Sequence, residues 1–151
     1  GGSARAVVHA LAALGAAEIM LVSRAPHLQA GGGALADCSL ATYDDLALLA
    51  PAADLIVNCT PVGMFPHADE SPWPEAVPFP SGTVLYDLVY NPPVTRLMRQ
   101  AEAAGVRALG GLGMLICQGA LSFAQWVGIA PPLVIMEGAA QTALYGSTHE
   151  R

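Results

Sequence analysis

The segment Gly110-Gly111-Leu112-Gly113-Met114-Leu115-Ile116-Cys117-Gln118-Gly119-Ala120 decides the interpretation of this chain, because a glycine-rich turn leads directly into an apolar helix. Glycine has no Cβ and therefore lets the backbone approach a flat ligand closely. On a helix that begins at Met114, the side chains of Met114, Gln118 and Leu121 share one face at i, i+4 and i+7. The segment thus predicts a single hydrogen-bonding amide beside an apolar wall, an arrangement that suits a nicotinamide ring.

Outside this segment, short buried strands alternate with helices. We predict strands at 18–22, 40–43, 55–58, 84–87 and 107–109, and helices at 4–14, 44–50, 94–104, 114–127 and 131–145. Asp44 is the predicted cap of the second helix, Pro131 is placed in the first turn of the last helix, and the proline-rich stretch 65–80 is predicted to be a long loop. The alternation indicates one α/β domain over residues 1–151 with a doubly wound parallel sheet, in which ligands lie beyond the carboxyl ends of the strands.

The composition excludes several classes of protein. The chain has 151 residues, 54% of them hydrophobic, and a net charge of −6. All of its basic residues are dispersed arginines, so it lacks the basic patch of a nucleic-acid-binding protein. No apolar run reaches the ~18 residues of a membrane span. We therefore expect a cytoplasmic protein that binds neither nucleic acid nor membrane.

Cysteine and histidine show no pattern that favours a metal site. Cys38, Cys59 and Cys117 lie far apart without CxxC spacing, which argues against both disulfides and zinc. We predict that these cysteines are buried as small hydrophobic residues. The histidines form no cluster with ligand spacing, and no metal is expected.

Two further motifs, Asn58-Cys59-Thr60-Pro61-Val62-Gly63-Met64 and Asp87-Leu88-Val89-Tyr90-Asn91-Pro92, precede the glycine-rich segment. Together, and in this order, the three motifs resemble the cofactor-binding half of the shikimate dehydrogenases. The resemblance implies a Rossmann-like fold, NADP as cofactor and the reversible reduction of 3-dehydroshikimate to shikimate in aromatic amino acid biosynthesis. It also implies that Thr60 and Pro61 line the cofactor, that the nicotinamide is surrounded by Leu88, Gly111, Met114 and Leu115, and that shikimate is bound by Tyr90 and Gln118.

The N-terminal residues Gly1-Gly2-Ser3-Ala4-Arg5-Ala6 look like the second half of the family's GxGGxxRA-like loop. Backbone N–H groups of Gly1, Gly2, Ser3 and Ala4 at a helix start would hold the cofactor pyrophosphate. No strand precedes Gly1, although the first strand is the central one in the order 3-2-1-4-5-6. We therefore expect an excerpt of a two-domain enzyme that lacks this strand and the N-terminal substrate domain. The resemblance places the catalytic lysine and aspartate in that domain, so no catalytic residue is assigned here and the isolated chain is expected to be inactive.

Ser23 and Arg24 indicate the type of dinucleotide. Arg24 lies ~20 residues beyond the glycine loop, where NAD-binding folds carry an acid and NADP-binding folds an arginine. A guanidinium offers forked donors to the 2′-phosphate, which favours NADP. The alternative is that Arg24 is a solvated charge at a strand end.

Several alternatives stay open at this point. Tyr90 fits an ordinary half-buried loop tyrosine, Gln118 a solvent-facing helix residue, and Asp87 is better explained as a turn-stabilising carboxylate than as a base. Rival functions are an NAD-dependent quinate/shikimate dehydrogenase and a non-catalytic NADP-binding module. The sequence also leaves a homodimer open.

Overall fold

The protein is described by a computed structural model over residues 1–25 and 38–146. The contacts divide the chain into two compact units. Unit 1 comprises Gly1–Ala53 with Glu75–Pro80, and unit 2 comprises Asp54–Pro74 with Ser81–Arg151. Each unit contains a sheet whose strand pairs are all parallel, which confirms the predicted α/β class with parallel sheets.

Unit 1 begins with α1 (Gly2–Ala13), continues with β1 (Met20–Val22) and β2 (Ser39–Ala41), and ends with α2 (Leu46–Leu49) between two 3-10 turns at Tyr43–Asp45 and Ala50–Ala52. β1 pairs with β2 so that Val22 lies opposite Ala41. The predicted cap at Asp44 is wrong, because the turn before α2 is capped by Thr42. The Asp45 carboxylate accepts from the Thr42 backbone N–H and hydroxyl, both at 2.8 Å, and the pair forms a capping box.

Unit 2 contains β3 (Leu55–Asn58), β4 (Val84–Asp87), α3 (Arg96–Ala103), β5 (Arg107–Gly110), α4 (Leu112–Val127) and α5 (Leu133–Tyr145). Its three strands lie in the order β3-β4-β5. The register sets Asn58 opposite Asp87 and Asp87 opposite Gly110, so the three strands end in line at one edge. Residues 65–80 contain no helix or strand, as predicted.

The core of unit 2 lies around the central strand β4. Leu85 is fully buried, and α3 buries one face against the sheet through Leu97 and Ala101. α3 begins at Arg96 rather than at 94, because Thr95 is its N-cap and its hydroxyl oxygen accepts from the Met98 N–H at 3.2 Å. A side-chain cap therefore decides where this helix starts.

Three further expectations were wrong in detail. α4 begins at Leu112 with Gly111 as its N-cap, so Gly113 belongs to the helix rather than to the turn. α5 begins at Leu133 with Pro132 as its N-cap, so Pro131 precedes the first turn. Cys117 is exposed, whereas Cys38 and Cys59 are only half-buried. Within residues 1–25 and 38–146, no helix has the length and apolar character required to cross a membrane.

Candidate functional site

The carboxyl end of the unit 2 sheet is organised around the buried side chain of Asp87. Its Oδ1 accepts from Asn58 Nδ2 at 2.9 Å and from the Val89 N–H at 3.1 Å. Its Oδ2 accepts from the Thr95 hydroxyl at 2.6 Å. The carboxylate is thus shared by β3, the turn after β4 and the cap of α3. This confirms the prediction that Asp87 stabilises a turn, and the side chain has no exposed surface.

Asn58 extends this network into the segment 58–64. Its Oδ1 accepts from the Thr60 N–H at 3.0 Å and from the Thr60 hydroxyl at 2.7 Å, while Thr60 Oγ1 accepts from the Val62 N–H at 3.2 Å. Thr60 is therefore held at the strand end, with Pro61 exposed beside it. Burial raises the pKa of the neighbouring Cys59 thiol, and the Asp87 carboxylate adds to the rise.

The start of α4 lies directly against the segment that follows β4. The Gly111 N–H donates to the Val89 carbonyl at 3.1 Å. A Cβ on Gly111 would lie 2.1 Å from the Leu88 carbonyl oxygen, a separation that no side chain can adopt. Glycine is therefore required here, and the contact brings together Leu88 and Gly111 from two of the three motifs. Met114 and Leu115 follow within the first turns of α4, both half-buried.

Gln118 and Tyr90 occupy different parts of this end of unit 2. Gln118 lies roughly 10 Å further along α4 than Gly111, at 1.5 Å per residue. It is exposed, and its Nε2 donates to the Leu115 carbonyl at 3.3 Å. Leu121 is 74% exposed, so the expected apolar wall is not formed on that side. Tyr90 is half-buried in the segment after β4, and its carbonyl accepts from the Tyr145 hydroxyl at 2.5 Å.

The remaining predicted residues belong to unit 1. Gly1 is the N-cap of α1, and a Cβ on Gly1 or Gly2 would meet nothing within 4 Å. The described packing thus does not require glycine at either position. Ser3 and Ala4 form the first turn, where backbone N–H groups have no partner within the helix.

Ser23 and Arg24 follow β1. The Ser23 N–H continues the ladder by donating to Ala41 O at 3.0 Å, and Arg24 beyond it is exposed. Tyr43 follows β2 at the corresponding position. Burial raises the pKa of the Tyr43 phenol and the charge of Arg24 acts against this rise, so the guanidinium lies within electrostatic reach of the phenol.

Three residues with a role at these sites were not predicted from the sequence. Asn58 was recognised only as part of a motif, because its hydrogen bond to Asp87 joins two different strands and has no local signal. Thr95 carries a local signal, since a threonine before an amphipathic run is a typical N-cap. Tyr145 carries no such signal. In the part of the chain that the structure describes, no group of three His, Cys, Asp or Glu side chains could hold a metal ion.

A family model described as the Shikimate 5'-dehydrogenase C-terminal domain matches residues 111–141. The shikimate dehydrogenase (NADP(+)) of Methanopyrus kandleri is 41% identical over 147 residues, which cover 92% of this chain and 51% of the relative. The chain thus spans about half the length of the curated relatives it matches.

Solved structures also align with this chain over most of its length. The shikimate 5-dehydrogenase of Thermus thermophilus in complex with NADP(H) and shikimate aligns with a TM-score of 0.79 at 36% identity, covering 95% of this chain and 52% of that one. The quinate dehydrogenase of Corynebacterium glutamicum in complex with NAD aligns with a TM-score of 0.81 at 25% identity and the same coverage, 95% and 52%. With its three motifs placed at the ends of parallel strands in a Rossmann-like fold, the chain belongs to the shikimate dehydrogenase family.

Proposed function

We propose that this chain supplies the NADP-binding half of a shikimate dehydrogenase, which reversibly reduces 3-dehydroshikimate to shikimate. The observation that carries the proposal is the approach of Gly111 to Leu88, because it joins two family motifs at the edge where parallel α/β sheets bind ligands. The third motif is tied to the same edge by Asn58 through its hydrogen bond to Asp87.

Contacts to the cofactor are proposed separately within each unit. In unit 1, the first turn of α1 offers the N–H groups of Gly1, Gly2, Ser3 and Ala4 to the pyrophosphate, and Ser23 and Arg24 recognise the 2′-phosphate. In unit 2, the nicotinamide is bordered by Thr60, Pro61, Leu88, Gly111, Met114 and Leu115. When bound, NADP supplies or accepts the hydride.

The fit to a dinucleotide rests on two features of unit 1. The first turn of α1 has backbone N–H groups without a partner in the helix, and such groups bind phosphate. The exposed Arg24 lies past the end of β1, where a ribose phosphate is recognised in this fold. An acid at this position would instead favour NAD.

The substrate side of the proposal assigns Tyr90 and Gln118 to the hydroxyl groups or carboxylate of shikimate. Gln118 would exchange its 3.3 Å bond to Leu115 O for a bond to the substrate. No catalytic residue is assigned within the chain, and the proposal assigns proton transfer to a lysine and an aspartate of a separate substrate domain. The isolated chain therefore binds cofactor without turnover. A cytoplasmic location and a role in aromatic amino acid biosynthesis belong to the same proposal.

A second candidate is an NAD-dependent quinate/shikimate dehydrogenase. The alignment with the Corynebacterium glutamicum quinate dehydrogenase in complex with NAD favours it, since its TM-score of 0.81 is as high as that of shikimate dehydrogenase structures. Arg24 argues against it. A non-catalytic NADP-binding module is a third option, which measured shikimate turnover would eliminate.

The experiment titrates NADPH and NADH into the complete protein that carries this chain, as wild type and as Arg24→Ala. Loss of a charge-assisted forked contact should cost about 1.5–3 kcal/mol for NADPH and little for NADH. Arg107→Ala is a matched control, because Arg107 is an exposed arginine at the amino end of β5. Equal losses for both cofactors would refute the assignment of NADP, and faster oxidation of quinate with NAD than of shikimate with NADP would favour the second candidate.

A further inference from the structure

The hydroxyl of Tyr145 ties the end of α5 to the segment that follows β4. Tyr145 is the last residue of α5 and donates to the Tyr90 carbonyl at 2.5 Å, across 55 positions of sequence. No residue of α5 is buried, and Tyr145 itself is half-buried. Its described packing against α4 brings the Met136 methyl within 3.4 Å of where a Cβ on Gly119 would stand.

The segment 88–91 is held residue by residue, each time by a different part of unit 2. The bonds are Leu88 N–H to Asn58 O at 3.1 Å, Gly111 N–H to Val89 O at 3.1 Å, Tyr145 hydroxyl to Tyr90 O at 2.5 Å, and Phe65 N–H to Asn91 O at 2.9 Å. Three of these donors are backbone groups, whose positions depend on the fold as a whole. Tyr145 is the side-chain donor among them, and it holds the residue to which substrate contact is assigned.

We propose that Tyr145 is a positioning residue, which sets the placement of Tyr90 for shikimate and couples the end of α5 to the substrate site. The assignment of Tyr90 to substrate rests on the proposed function, whereas the tie itself does not. Tyr145 lies beyond residues 111–141 that the family model matches. The role therefore follows from this hydrogen bond rather than from the matched segment.

The chemistry of the phenol suits a permanent donor. Burial raises the pKa of Tyr145 above its ordinary value, so the hydroxyl stays protonated at neutral pH. A carbonyl oxygen accepts but cannot donate, which fixes the direction of the bond. Tyr145→Phe removes this donor and keeps the ring.

The test compares Tyr145→Phe with wild type in the complete protein by two measurements. Loss of one hydrogen bond should raise the hydrogen-exchange rate of the amides in residues 88–91 about fivefold without ligand. It should also raise KM for shikimate about fivefold at nearly unchanged kcat, with the Kd for NADPH unchanged. The matched control is Gln141→Ala, which removes a 3.4 Å bond to Glu137 within α5 and should change neither readout.

The outcomes separate this proposal from the proposed function. The proposal is overturned if Tyr145→Phe has the wild-type hydrogen-exchange rate at residues 88–91 and the wild-type KM for shikimate. Equal exchange increases throughout unit 2, with kcat and NADPH affinity falling together, would show a merely structural role and also overturn it. If the wild type does not oxidise shikimate, the proposed function fails, and the local exchange at residues 88–91 alone decides whether Tyr145 positions Tyr90.

Discussion

Replacement of Asp87 by alanine should be among the most destabilising single substitutions in unit 2. The side chain is fully buried and serves three donors, which are Asn58 Nδ2, the Val89 N–H and the Thr95 hydroxyl. Asn58, Val89 and Thr95 are 6%, 4% and 0% exposed, respectively, so the donors have little access to bulk water. Without the carboxylate, all three lose their acceptor.

The magnitude follows from these contacts. A buried donor left without a partner costs about 1–3 kcal/mol, and three donors that share one cavity cost less than their sum. We expect Asp87→Ala to lower the free energy of unfolding by about 4 kcal/mol. Asp87→Asn keeps Oδ1 for two N–H donors but turns an amide nitrogen toward Thr95 Oγ1, so the expected loss is about 1.5–2 kcal/mol.

Urea unfolding of the complete protein, followed by circular dichroism, measures both variants. Asp54→Asn is the matched control, since the exposed Asp54 directly precedes β3, and its effect should stay within about 0.5 kcal/mol. Wild-type stability in Asp87→Ala would refute the reasoning, because it would mean that the three donors find other acceptors. Wild-type stability in Asp87→Asn together with abolished turnover would instead make Asp87 part of the chemistry.

Three other predictions concern separate parts of the chain. Gly111→Ala should lower the free energy of unfolding by about 3 kcal/mol through its clash with Leu88, and a thermal melt like that of the wild type would show that the backbone can move aside. Gln118→Ala should lower kcat/KM for shikimate by about 1–3 kcal/mol at unchanged NADPH affinity, whereas unchanged kinetics would make Gln118 a surface amide. Tyr43 has a pKa raised by burial, so its contribution to stability is complete below its ordinary value of 10.0 and is lost as pH rises through the folded value. The free energy of unfolding, measured on either side of about pH 10, should fall with rising pH in the wild type and fall less in Tyr43→Phe. Equal decreases in both proteins would contradict this prediction.

Local patterns were sufficient for the class of the fold and for most of its elements. The strands at 55–58 and 84–87 were predicted with their observed bounds, because short apolar runs between turn residues carry their own signal. The three motifs also predicted that Thr60, Leu88 and Gly111 follow strands. Because these strands are parallel and in register, they end at a common edge. These results depend on spacing within a few residues, which a sequence displays directly.

The tertiary structure alone decided which groups meet at that edge. Asn58 and Asp87 are 29 positions apart, and Tyr90 and Tyr145 are 55 apart, so no local periodicity connects them. A helical pattern also could not predict that Cys117 and Leu121 are exposed, because a helix buries only the faces that its neighbours cover. A buried polar group must find its partner among whatever the packed elements bring within about 3 Å. The sequence therefore determined the strands, the turns and the chemistry available, whereas packing determined which donors and acceptors were paired.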